Sequence, residues 1–559
     1  RLERDLDLIQ QEIFKLAGGD SVGARGAYHQ VLNVAPRGTV SARAGSALLL
    51  LGFDSASAAL RGAEALGSAG EEREALQAYG EFEALLGRAP SEGVALARAR
   101  LHLGLREWRA AVSILRPLAE SADASVGVPS LDLLAEALGA LGRREEAREV
   151  ENRLVERHPG TAEAVDVVFF RADALQTAGD LEGAVGEYGR AAALAPSLSR
   201  AGQSRMRMGQ LLVSLGRDEE AVGVYEEYLS DFPDGRRQDE AAFWAGRTLL
   251  SLGRETEGRA FLRRLVDGNP FSYYALQGSL LLGEPFAPQV EVPADTLPFP
   301  SYVLEGLRRI QMLRSTGLEA AISPEVERLA QAARISQRDL LRLALELNSL
   351  GFTREGISLG WELRRSGQPW DLDLARAIYP FPYREMVLAE AEEWGLDPFF
   401  MAGLMRQESA FWAEARSRAD ARGLMQVLPS TGAELARAVG PAGFRADEHL
   451  YRPEVNLHLG MAFFSDLRRR FGEDPVILLS AYNAGPSRAQ RWKGFPEAND
   501  PVRFIERIPF AETRGYVKNV LLNRALYSWL YGIEEGPGPG TGSLASSFLG
   551  GSLSALSFP

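Results

Sequence analysis

Leu141-Gly142-Arg143-Arg144-Glu145-Glu146-Ala147, closed by Pro159, sets a pattern that returns three more times at one fixed spacing. Gly142, Gly179, Gly216 and Gly253 lie 37 residues apart, and Pro159, Pro196, Pro233 and Pro270 share that spacing. Ala147, Ala184 and Ala221 keep it as well, with Gly258 in the fourth place. Leu-Gly-Arg stands at 141–143, 215–217 and 252–254, and Ala178-Gly179-Asp180 serves the remaining copy. Each copy reads as a helix, a glycine turn, a second helix with a small residue facing its partner, and a proline stop. The small residue lets two helices approach closely, and proline cannot donate to the helical ladder. Helix pairs of this kind cannot bury their apolar faces alone, so they stack on one another.

Working outward, Leu103-Gly104-Leu105-Arg106 followed by Ala110 and Ala111 reads as a further, less regular copy. The pattern resembles tetratricopeptide repeats with a slightly lengthened period. A solenoid of such repeats is expected over residues 1–284, although residues 1 to 90 fall into no register. Solenoids of this kind more often than not carry a concave surface for a protein partner. Prolines at 285, 288, 293, 298 and 300 mark a boundary. Helical periodicity returns from Tyr302 to about Leu374, so 285–380 is read as a boundary with linker helices. A second domain is expected at 381–535. The remainder, 536–559, opens Gly536-Pro537-Gly538-Pro539-Gly540 and is read as a disordered tail, with Phe548 and Phe558 as candidates to dock elsewhere. The expected fold class is all-α.

At 559 residues the chain exceeds what one core usually sustains. Its net charge of −13 argues against a nucleic-acid binder built on phosphate contacts. Residues 381–535 hold 19 Lys and Arg against 21 Asp and Glu, so most of the acidic excess lies elsewhere. Cysteine is absent, which excludes thiol nucleophiles and cysteine metal sites. Histidines at 29, 102, 158, 449 and 458 include no pair at i, i+4, so neither metal nor cofactor is expected. No apolar run of about 18 residues suggests a transmembrane helix. The chain opens Arg1-Leu2-Glu3 without a basic, apolar leader, as a processed or trimmed form would.

Chemistry concentrates in four later blocks. Asp397-Pro398 reads as an N-cap followed by proline at the first helical position. In the helix beyond it, Phe400, Leu404 and Glu408 share one face at steps of four, beside Met405. A carboxyl extending an apolar stripe has its charged form disfavoured, and so stays protonated nearer neutral pH, as a general acid requires. Arg406-Gln407-Glu408-Ser409-Ala410-Phe411 is followed by Gly423-Leu424-Met425-Gln426, then Ala481-Tyr482-Asn483-Ala484-Gly485-Pro486, then Ile508-Pro509-Phe510-Ala511-Glu512-Thr513-Arg514-Gly515-Tyr516-Val517. Each block alone also fits a bland reading as a turn, a core helix or a local ion pair.

Together, in this order, the four blocks resemble the catalytic domain of soluble lytic murein transglycosylases, a lysozyme-like α-helical fold preceded in some members by a helical superhelix. The resemblance implies Glu408 as catalytic acid/base and Ser417 near the reacting sugar. It also implies Gly423, Leu424, Met425 and Gln426 as one wall of a groove. Tyr482, Asn483, Glu512, Arg514 and Tyr516 fall on substrate-binding positions, and Trp412, Trp492, Phe495 and Phe504 are further aromatics open to either a stacking or a core role. One departure is Phe411-Trp412-Ala413-Glu414, where members commonly continue with a polar residue and proline. The activity that the resemblance implies is cleavage of the β-1,4 bond between N-acetylmuramic acid and N-acetylglucosamine in peptidoglycan, with 1,6-anhydro ends, in the periplasm. The alternatives are a lysozyme-type hydrolase on the same fold, with Asp420 the nearest second carboxylate, and a repeat scaffold for cell-wall partners with a degenerate catalytic domain.

Overall fold

A computed structural model of the chain describes residues 21–34, 37–291 and 300–532. Among the described residues there are 29 α-helices and no strand, and extended pairing is limited to three isolated bridges. The all-α class is therefore the one observed. No helix among the described residues is long and apolar enough to cross a membrane. The 536–559 tail, Pro293 and Pro298 lie outside the described residues. The chain divides into two compact units, one ending at Tyr228 and the other starting at Leu229.

In the first unit, Ala124–Ala140 and Arg144–Arg157 form one helix pair, and Ala162–Ala178 and Leu181–Leu194 the next. Gly142, Gly179 and Gly216 have φ of 77°, 89° and 72°. That left-handed backbone costs an L-residue about 1–2 kcal/mol, which explains why glycine recurs at this point of the period. Ala147, Ala184 and Ala221 are buried where the paired helices meet. The second helices of the four copies end at Arg157, Leu194, Asp231 and Gly268, each two residues ahead of its proline. A residue preceding proline is pushed out of the α region, so the stop falls there. Further upstream, where no register was legible, four more helices between Ser21 and Leu86 close on a core that includes Leu48, Leu66, Tyr79 and Phe82.

The second unit begins with the fourth copy, Gln238–Ser251 and Glu255–Gly268. A Cβ placed on Gly258 would stand 2.8 Å from the Gly246 carbonyl oxygen, so the small residue in the fourth copy lets two backbones touch. The helix Tyr273–Leu282 comes next, then five helices between Ser301 and Ile378. Beyond them the Pro398–Ser409 helix packs along the last helix, Ala511–Tyr531, with Gly403 against the backbone of Arg524.

Bonds from earlier segments hold this pair. The Tyr527 hydroxyl donates to the Pro380 carbonyl and the Tyr531 hydroxyl to the Tyr379 carbonyl, both at 2.9 Å, and Arg406 donates to the Ile378 carbonyl. From the repeat side, the Tyr274 hydroxyl donates to Glu506 at 2.7 Å. The Lys518 ammonium lies 2.6 Å from the same carboxylate oxygen and 2.7 Å from the tyrosine oxygen. Glu506 and Tyr274 are buried. Phe271 stacks on Trp370 with centroids 3.8 Å apart and meets Trp529 edge-on.

Candidate active site

The helix that carries Glu408 starts as its sequence dictates. Asp397 caps it by accepting from the backbone N–H groups of Phe399 and Phe400, and Pro398 occupies the first turn. The second oxygen of Asp397 pairs with Arg524 at 2.7 Å, which ties the start of this helix to the last one. Phe400, Leu404 and Met405 are fully packed, and Glu408 ends their stripe, part-buried. Desolvation pushes its carboxyl up from 4.5 to about 7. The nearby Glu512 carboxylate pushes in the same direction, and a hydrogen bond from Tyr516 works against it. That bond, from the phenol to Glu408 Oε1, is 2.6 Å long. Burial and the neighbouring Glu408 carboxyl both raise the Tyr516 and Tyr482 phenols well above their ordinary range, so both stay protonated donors.

After Ser409 the chain turns sharply. Ala410 and Phe411 are consecutive non-glycine residues at φ of 50° and 62°. Backbone strain of this kind costs about 1–3 kcal/mol per residue and persists where the surroundings enforce it. Here Phe411 is buried edge-on to Tyr527, while Trp412 is left exposed. Asp420 and Gln426 are also left-handed, so four of the six non-glycine residues with positive φ among the described residues fall within one short segment after Glu408.

The expected wall, Gly423 to Gln426, lies across from this turn. Gly423 has φ of 76°, and a Cβ there would strike the Leu450 carbonyl and the Asn456 amide, so the position is closed to any larger residue. Leu424 and Met425 bury their side chains completely, so what they hold near the site is backbone. The Leu424 carbonyl accepts from the Ser409 hydroxyl at 2.8 Å, and the Met425 carbonyl accepts from Tyr482 at 2.7 Å. The Gln426 amide donates back to the carbonyls of Ala415 and Gly423.

Asn456 fixes the whole segment. Fully buried, it accepts from the Met425 N–H and donates to the carbonyls of Arg422 and Leu450, each at 2.8 Å. No motif reading picked out Asn456. Its only sequence signal is a lone amide among the apolar residues of the Pro453–Phe471 helix.

The remaining expected residues divide. Tyr482, Tyr516 and Glu512 come together around Glu408, the first two as phenols and the third as an exposed carboxylate in the first turn of the last helix. Asn483 stands one residue further on, accepting from Thr513 at 2.7 Å. Arg514 donates to the carbonyls of Ile508 and Pro509. Ser417 is exposed, and its hydroxyl accepts from the Ala421 N–H inside its own turn. Asp420 is held in ion pairs by Arg416 and Arg422, which keep its carboxyl below the usual range. Among the other aromatics, Trp492 and Phe504 are buried and Phe495 is half-buried.

Among the described residues, one group could hold a metal. Glu390, Glu393 and His458 bring ligand atoms within 4.8 Å of one another. The His458 ring already lies 2.9 Å from Glu390 and packs against Trp394, so its Nδ1 is engaged with that carboxylate.

The site thus gathers one carboxyl held near neutrality, the Tyr516 phenol that donates to it, and Tyr482 close by, all within one helical domain. Residues 385–503 match the family described as the transglycosylase SLT domain, and 507–535 the soluble lytic transglycosylase helical domain. Residues 133–199, 171–236 and 206–273 match tetratricopeptide repeats. The chain thus carries an SLT transglycosylase domain, the accompanying helical domain and tetratricopeptide repeats. It is 28% identical over 284 residues, half of its length, to the soluble lytic murein transglycosylase of Salmonella typhimurium. It is 31% identical over 192 residues, 34% of its length, to a putative soluble lytic murein transglycosylase of Haemophilus influenzae. These matches span 42% and 32% of the respective relatives. Among solved structures, the lytic transglycosylase Slt of Pseudomonas aeruginosa superposes with a TM-score of 0.59 at 22% identity, over 94% of this chain and 81% of that one. The 70 kDa soluble lytic transglycosylase of Escherichia coli gives 0.51 at 18% identity, over 94% and 92%. At these identities the likeness is one of fold.

Proposed function

We propose that the chain is a lytic transglycosylase that cleaves the glycan strands of peptidoglycan, with Glu408 as its single acid and base. The observation that carries this reading is the Glu408 carboxyl, brought to about 7 at the end of an apolar stripe and held by Tyr516, within an SLT domain. Near neutral pH such a group is protonated in part of the population and ionised in the rest, so it serves both halves of the reaction. Protonated, it delivers its proton to the oxygen leaving C1 of N-acetylmuramic acid, while the substrate's acetamido group stabilises the oxocarbenium-like centre. Ionised, it takes the proton of the sugar's own 6-hydroxyl as that oxygen closes on C1. The product ends in a 1,6-anhydro sugar, and no water is consumed.

Glu512 holds the glycan in the groove, and its charge keeps the proton on Glu408 until the leaving oxygen takes it. Tyr516 steadies the carboxyl, and Tyr482, Asn483, Arg514, Ser417 and Gly423 to Gln426 line the path of the glycan. A hydrolase with two carboxylates is disfavoured at Asp420, whose charge is committed to two arginines. The reading places the protein in the periplasm, with the repeats offering a surface to a protein partner. Digestion of purified peptidoglycan tests the reaction: muropeptides ending in 1,6-anhydro-N-acetylmuramic acid are expected, and reducing ends as the main product would assign a hydrolase instead.

A further inference from the structure

The turn after Glu408 does more than end a helix. Its two left-handed residues bury Phe411 and deliver Trp412, four residues beyond Glu408, to the surface with 41% of the side chain exposed. The Trp412 N–H closes the turn on the Ser409 carbonyl, so the indole is set by backbone and not by a loose loop. The two strained residues that precede Trp412 fix where the indole emerges. The segment departs here from the polar residue and proline that the resemblance leads one to expect, so the indole is a feature of this chain.

Over one face of the indole lies Arg354, its guanidinium carbon 4.4 Å from the ring centroid. Arg354 comes from the first turn of Thr353–Arg365, a helix outside the SLT match. The side chain is exposed, and its guanidinium pairs with no carboxylate among the described residues. Arg334, by contrast, pairs with Glu362 on that same helix. An aromatic face beside an unpaired guanidinium recognises a pyranose ring next to a carboxylate. The ring stacks its C–H groups on the indole, and the fork of N–H donors takes the anion in bidentate fashion.

We propose that Trp412 and Arg354 form a subsite for a peptide-bearing saccharide of the glycan strand, with the sugar on the indole and a carboxylate of the stem peptide on the guanidinium. This rests on the transglycosylase reading. Through this pair the chain selects peptide-substituted strands over strands from which the peptides have been removed.

The test uses the full chain in a Glu408→Gln background, so that ligand is not consumed, and two soluble glycan fragments of equal length, with and without stem peptides. Calorimetric titration gives both dissociation constants. Arg354→Ala should weaken the peptide-bearing fragment about tenfold and the bare fragment less than twofold, in line with the loss of a charged hydrogen bond. Trp412→Ala should weaken both about tenfold, and Trp412→Phe should restore most of that loss. Added salt should reduce the preference for the peptide-bearing fragment in the parent chain and leave Arg354→Ala unmoved. Equal weakening of both fragments by Arg354→Ala, or no change from Trp412→Ala, overturns the subsite while leaving the transglycosylase reading intact. Failure of the parent chain to bind either fragment overturns that reading along with it. Both side chains are exposed, so unchanged melting curves establish that each variant is folded.

Discussion

Glu408→Gln separates the chemistry of the candidate acid from its burden on the fold. Glutamine keeps the outline of the side chain and still accepts from Tyr516, but it carries no exchangeable acid proton and no charge at any pH. The folded chain holds the Glu408 proton near 7, whereas the same group titrates at about 4.5 when solvated. The folded state therefore binds that proton more tightly than the unfolded state, and wild-type stability falls as pH rises from about 4.5 towards 7. At about 1.4 kcal/mol per pH unit the whole gap corresponds to about 3 kcal/mol above neutrality. That is an upper figure, because solvent still reaches part of the side chain. The variant escapes the penalty. Its melting temperature should exceed wild type by on the order of 5 °C near pH 8 and by almost nothing near pH 4. Release of anhydro-muropeptides should drop by at least the upper part of the roughly 10²–10⁴ range for a general acid or base, since one residue serves both steps. Calorimetric melting at the two pH values and product chromatography on the same preparation make the check. A variant that melts below wild type near pH 8, or that keeps more than about a tenth of the activity where such a loss is expected, refutes the assignment.

Tyr516→Phe removes the bond that opposes the rise in the Glu408 pKa, so the alkaline limb of the pH–activity profile should move upward; an unmoved limb means the phenol does not act on the acid. Asn456→Ala strands a buried N–H and two carbonyls, and should cost roughly 3–5 kcal/mol in denaturant unfolding, with under 1 kcal/mol counting against the triple bond as the anchor of the 423–426 wall. A fragment starting at Phe381 keeps every residue gathered around Glu408 and should still cut soluble glycan, but it lacks the carbonyls of Ile378, Tyr379 and Pro380. It should melt below a fragment that starts at Leu229, and equal melting would show those bonds to be idle.

Legibility in the sequence tracks the range of the forces involved. The turns at Gly142, Gly179, Gly216 and Gly253 are local backbone geometry, and local geometry repeats in sequence when structure repeats. The cap at Asp397 and the stripe from Phe400 to Glu408 were readable for the same reason. Asn456 was not, because its three bonds join segments up to 34 residues away and nothing near it in the chain announces them. For Leu424 and Met425 a groove wall and a turn into the core were both open readings, since a motif gives identity and order but not the direction a side chain faces. The helices between Ser21 and Leu86 escaped registration because they lack the periodic glycine and proline that date each later copy. Nothing in the sequence ties Lys518 and Glu506 to Tyr274, which reaches them from more than two hundred residues upstream.

That last contact bears on how freely such domains can be exchanged. Tyr516 and Lys518 are two residues apart on one helix, about 200° around its axis, so they look out from nearly opposite sides. One side grips the candidate acid and the other is seated on the Tyr273–Leu282 helix. A designer who transplanted residues 385–535 onto a foreign helical array would inherit a lysine and a glutamate shaped for a tyrosine that was no longer there. The natural cut for such a chimera falls ahead of the last repeat, so that the domain travels with the helix on which it rests.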